Sequence, residues 1–126
     1  MIPHQQTDEE LVALAARAYG RVHWDAGLGC WIHGRAGDGE DATRRWDPVE
    51  SDADIFRMAV ELNIGFLPRS DQDKDCAVVL FNARYTGLPD GVKEIPMRMV
   101  QPHDGDVRRA TRRAVLRAAA EMGERL

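Results

Sequence analysis

Cysteine is nearly absent: the 126-residue chain carries Cys30 and Cys76 and no others. Two thiols do not make a disulfide framework, and they read as reduced residues of a cytosolic protein. Cys76 opens the run Cys76-Ala77-Val78-Val79-Leu80-Phe81-Asn82 and is expected to act as a small core hydrophobe. No apolar run approaches the ~18 residues that a membrane helix needs, so no membrane partner is expected. The segment Met1-Ile2-Pro3-His4-Gln5-Gln6 is polar and lacks the charged and greasy regions of a signal peptide. The expected location is cytoplasmic. Lysine is scarce as well: Lys74 and Lys93 are the only two among 17 basic residues, a bias typical of GC-rich coding. The signatures G-x-S-x-G, G-x-x-x-x-G-K-[ST] and H-E-x-x-H are all missing, so no catalytic residue is assigned.

What is present describes an ordinary globular chain. Apolar residues make up 44% and charged residues 30%, too apolar for disorder, and the length fits a single domain over residues 1–126. The net charge of -4 hides a segregated pattern. Asp38, Glu40, Asp41, Asp47, Glu50, Asp52 and Asp54 face only Arg44 and Arg45 in the middle of the chain, whereas Arg108, Arg109, Arg112, Arg113, Arg117 and Arg125 crowd the C-terminus. A pI near 5.5 argues against general affinity for nucleic acid and leaves room for one basic patch.

Hydrophobic periodicity supplies the elements. Thr7-Asp8-Glu9-Glu10 has the form of a capping box, Leu11, Leu14, Ala15 and Ala18 follow at helical spacing, and Gly20 is a natural stop. The glycine-punctuated stretch after it predicts a short strand at Cys30-Trp31-Ile32 and a mobile loop at 34–45, with Trp24, Trp31 and Trp46 pinning the region to the core. Ser51 is expected to cap a second helix through Ile55, Met58, Ala59 and Leu62 that ends near Asn63. Ile64 to Pro68 reads as extended, Cys76 to Asn82 as a central strand covered on both faces, and Gly87 to Gly91 as a turn. Ile95, Met97 and Met99 alternate along an edge strand marked by Pro96. A last helix buries Val107, Thr111, Ala114, Val115, Ala118 and Met122 and turns Arg108, Arg109, Arg112, Arg113 and Arg117 outward, with Leu116 breaking the pattern. The expected fold is α+β: about four mainly antiparallel strands packed between helices as an α-β-α sandwich.

Few residues offer chemistry. Asp71-Gln72-Asp73-Lys74-Asp75 imitates the opening of a calcium loop, but Cys76 and Asn82 stand where that loop needs glycine and glutamate. A solvated turn is expected. His23, Asp25, Cys30 and His33 form an alternative metal-binding or enzymatic set, although only Cys30 and His33 have ligand spacing. No metal or other cofactor is assigned. Gly27-Leu28-Gly29 lacks the strand and helix of a phosphate loop and reads as a tight turn. The arginine face of the last helix, Arg108, Arg109, Arg112, Arg113 and Arg117, is the expected partner-binding surface, suited to an acidic protein or, alternatively, a nucleic-acid backbone.

From Trp46 onward, about 80 residues resemble the phage ABA-sandwich domain family and its NinX-like proteins. The resemblance is carried by Trp46-Asp47-Pro48, by Ser51-Asp52-Ala53-Asp54 leading into Ile55-Phe56-Arg57-Met58-Ala59-Val60-Glu61-Leu62, and by the alanine-rich stretch Ala110 to Ala120. It implies a phage or prophage origin, a sheet lying between helices, and no catalytic residues. The function expected from it is that of an accessory protein that occupies a host or phage protein, for example to block a defence system of the CRISPR type.

Overall fold

A computed structural model describes residues 6–34, 44–70, 72 and 74–126. Helix α1 (Asp8–Tyr19) begins where the Thr7 side chain accepts a hydrogen bond from the Glu10 amide, and Gly20 closes it in the left-handed conformation. Strands β1 (Val22–Asp25) and β2 (Cys30–His33) pair antiparallel as a separate two-stranded sheet, in which β1 had no counterpart among the expected elements. Helix α2 (Asp52–Leu62) is capped by Ser51 and ends at left-handed Asn63. Then come β3 (Gly65–Leu67), β4 (Cys76–Leu88), β5 (Gly91–Pro102) and α3 (Val107–Glu124), the last capped by Asp106. The second sheet is antiparallel in the order β3-β4-β5. The α+β class and the antiparallel pairing are therefore as expected, with five strands divided between two sheets. Residues 35–43 of the expected loop lie outside the described residues, as do Asp71 and Asp73 of the calcium-like turn.

The layering differs from a sheet enclosed by helices. Among the described residues, α3 carries the main helical contact with the three-stranded sheet, and α1 and α2 pack against α3 rather than across the sheet. One sheet face meets the core through Ala77, Val79, Phe81 and Ala83, with Met97 and Met99 packed beside them. The opposite face buries Val78 but leaves Leu80 half exposed, with Asn82, Arg84 and Arg98 open to solvent. Cys76 to Asn82 is thus a central strand covered along one face and, on the other, only near Val78, rather than on both faces throughout. A continuous apolar run reads alike in both cases, because periodicity cannot count the layers stacked on it.

Helix α3 occupies the middle because its sequence allows neighbours on nearly every side. Ala110, Ala114, Leu116, Ala118, Ala119, Ala120 and Gly123 are all buried and, at about 100° per residue, distribute around the whole helix axis. Only Arg117 and Glu121 interrupt the apolar set between Ala114 and Gly123, so this half of the helix can be buried on most sides. Leu116, which seemed to interrupt an outward arginine face, is in the core. The closest approach is at Gly123, where a Cβ would stand 1.9 Å from the Leu14 carbonyl oxygen of α1. That obstacle is backbone, so it cannot rotate away. Gly123→Ala is expected to destabilise the fold by about 1–3 kcal/mol as an overpacked contact. Urea denaturation measures this, and an unchanged midpoint would show that α1 and α3 have slack between them.

Candidate functional site

The four residues of the alternative metal set sit on the β1–β2 hairpin. Val22 pairs with His33, His23 with Ile32, Trp24 with Trp31 and Asp25 with Cys30. Directly paired residues share a face and neighbours along a strand alternate. His23, Asp25 and Cys30 therefore lie on one face and His33 on the other. His23 Nδ1 donates to the Gly34 carbonyl at 2.8 Å, and Asp25 Oδ1 accepts from the Leu28 amide at 2.9 Å, closing the tight turn read from Gly27-Leu28-Gly29. Among the described residues, no three of His, Cys, Asp and Glu cluster as metal ligands would. The proposed constellation does not assemble, because the C-x-x-H spacing that suits a turn places its two ends on opposite faces of a strand.

His33 has a different partner. Its Nε2 lies 2.9 Å from Asp54 Oδ1, while Asp54 Oδ2 accepts from the Asp47 amide and the Asp54 amide donates to Ser51 Oγ. Asp54 is buried, and the pair ties β2 to the first turn of α2. Nearby, Trp46 is 2% exposed, stacked at a tilt on Tyr19 and edge-on to Trp31. Its indole N–H is buried without a partner among the described residues. Trp31 and Trp46 do pin the hairpin region to the core, but Trp24, at the hairpin's outer end, is mostly exposed. The motif Trp46-Asp47-Pro48 with Ser51-Asp52-Ala53-Asp54 is thus a bracket that fixes the entry to α2.

The five arginines expected to form one outward face divide into two groups. Arg112 donates from Nε to the Val49 carbonyl and from Nη1 to Asp52, each at 2.7 Å. Beside it Arg108 makes no hydrogen bond or ion pair among the described residues and stays exposed. These two border an apolar notch of about 240 Å³ between α2, β3 and α3, lined by Ile55, Phe56, Phe66, Pro68 and Thr111. Phe56 is 58% exposed and Val60, one turn further along α2, is 65% exposed.

Arg109, Arg113 and Arg117 recur every four residues, about 100° further round α3. They line an open groove of about 1010 Å³ walled by the start of α1 and the end of β5. Arg113 pairs with Asp8 and also reaches the Gln6 carbonyl. Arg117 Nη1 donates to the Val100 carbonyl at 3.2 Å and to Gln101 Oε1 at 2.8 Å, and no carboxylate pairs with it among the described residues. Burial, and then the charge of Arg113 one turn away, push the Arg117 guanidinium below its usual range.

Arg117 also manages an exposed strand edge. Pro96 and Pro102 of β5 face Asn82 and Cys76 of β4. Proline has no N–H to give the ladder, so these positions point their nitrogens away from β4, and Val100 shares their parity. The outward Val100 carbonyl is the one that Arg117 takes. Two prolines and one guanidinium blunt the edge against pairing with another strand.

The chain matches no family model, no curated protein and no solved structure.

The His33–Asp54 contact has a pH signature. Burial lowers the His33 pKa below 6.5 and Arg44 and Arg57 push the same way, while the Asp54 carboxylate pulls against them. The folded chain therefore holds a neutral imidazole, and the unfolded chain binds its proton first as pH falls. Stability from this group is complete above pH 6.5 and is lost as pH drops through the lowered folded value. Urea midpoints of the native chain should fall between pH 7.5 and 5.5, and His33→Gln should flatten that slope. Equal slopes in the two proteins would remove His33 from the account.

Proposed function

We infer that this chain is a non-enzymatic accessory protein of phage or prophage type, acting by binding a host or phage protein. The observation that carries the reading is the notch beside Phe56. At about 240 Å³ it is smaller than the ~300–1,000 Å³ typical of small-molecule sites. It has the scale of a socket for one anchoring side chain, the element around which protein interfaces concentrate their energy. Phe56 and Val60 extend the apolar surface along the outward side of α2, and Arg108 supplies an unpaired cation at the rim. A neutral socket edged by arginine favours a partner with an apolar anchor flanked by carboxylates.

The phage origin rests on the resemblance of the segment from Trp46 onward, and a defence-blocking role is one instance of the binding activity. The cytoplasm is the proposed location. No helix among the described residues is long and apolar enough to cross a membrane.

Affinity capture with the tagged full chain in bacterial lysate tests this. The native protein should retain a specific partner, and Phe56→Asp should reduce its recovery about tenfold or more, as for a central anchor. A Phe56→Asp protein that folds and recovers as much, or a native protein that retains none, would overturn the reading.

A further inference from the structure

We propose that the groove between α1 and β5 binds a compact polyoxyanion, a phosphate ester or a dicarboxylate, gripped by Arg109, Arg113 and Arg117. Four-residue spacing sets successive arginines about 6 Å apart along α3, so three guanidinium groups point into one channel. Like charges at this spacing repel. Among the described residues, Asp8 is the one carboxylate paired with the row. Asp106 lines the same groove, but its carboxylate is engaged as the α3 cap, accepting from the Arg109 amide.

Donors are left over on all three arginines of the row. Arg117 uses only Nη1, leaving Nε and Nη2; Arg113 uses Nη1 and Nη2, leaving Nε. The Arg109 guanidinium has no partner among the described residues. His103 also lines the groove, with Nε2 already donating to the Pro68 carbonyl at 2.6 Å. A bound anion would relieve the positive charge that, with burial, pushes Arg117 down.

The ends of the groove choose between ligands. Asp104 and Asp106 stand at one end and Glu124 at the other. A long polyanion would run past these carboxylates, whereas a short one stays within the basic middle. The groove volume of about 1010 Å³ lies at the top of the range for small-molecule sites. This site is distinct from the notch at Phe56, and neither depends on the other.

Calorimetric titration of the full chain, at low and constant ionic strength, tests the assignment with inorganic phosphate, with succinate and with an oligothymidylate. Saturable one-site binding of phosphate or succinate is expected, and the one bound more tightly names the ester or the dicarboxylate. Arg109→Gln, which removes no side-chain hydrogen bond or ion pair among the described residues, should weaken that binding about tenfold, the loss for one charged hydrogen-bonded donor. Phe56→Asp should leave it unchanged. No saturable binding of either small anion, binding indifferent to Arg109→Gln, or tighter binding of the oligothymidylate would each overturn the proposal.

Discussion

Everything in this fold leans on how closely α3 can be approached. Its alanines and Gly123 let α1 come to backbone contact on one side while the three-stranded sheet closes on another. Small side chains contribute little apolar area individually, but they bring large surfaces together at native density. Were α3 built of leucines, α1 and the sheet would stand apart and the core between Leu11, Val79 and Phe81 would open. The helix thus acts as the central post of the molecule.

That position explains the fate of the arginines. A helix surrounded by neighbours keeps little accessible surface, and on α3 it lies in two neighbouring strips. Long arginine side chains suit such strips, since their apolar stems line the walls while the heads reach out. Arg112 and Arg108 emerge beside α2 and β3, and Arg109, Arg113 and Arg117 between α1 and β5. Three of the five are then occupied by the fold itself, with Val49 and Asp52, with Asp8, and with Val100 and Gln101. Arg117 serves both the blunted edge of β5 and the groove, so its charge is held in place before any ligand arrives. Preorganised donors of this kind lose little entropy on binding.

The hairpin and α2 are joined by another kind of device. His33, Asp54, the Asp47 amide and Ser51 form a closed set of hydrogen bonds around one buried carboxylate. Breaking such a set leaves a charge without compensation, so a single change within the bracket is costly. It also fixes the angle at which α2 leaves, and with it the direction in which Phe56 and Val60 face solvent.

Local chemistry was legible in the sequence wherever neighbouring residues settle it. The caps at Thr7 and Ser51 and the stops at Gly20 and Asn63 all depend on contacts within a few positions, and Pro96 marks an edge strand by its own missing N–H. The α+β class follows from those elements. Tertiary structure alone decided that α3 rather than the sheet lies in the middle, that one face of β4 is open beyond Val78, and that His33 turns to Asp54 instead of Cys30. It also divided a single arginine face in two. A sequence records the period of its apolar residues, but which neighbours close on each side is set by packing between segments far apart in the chain.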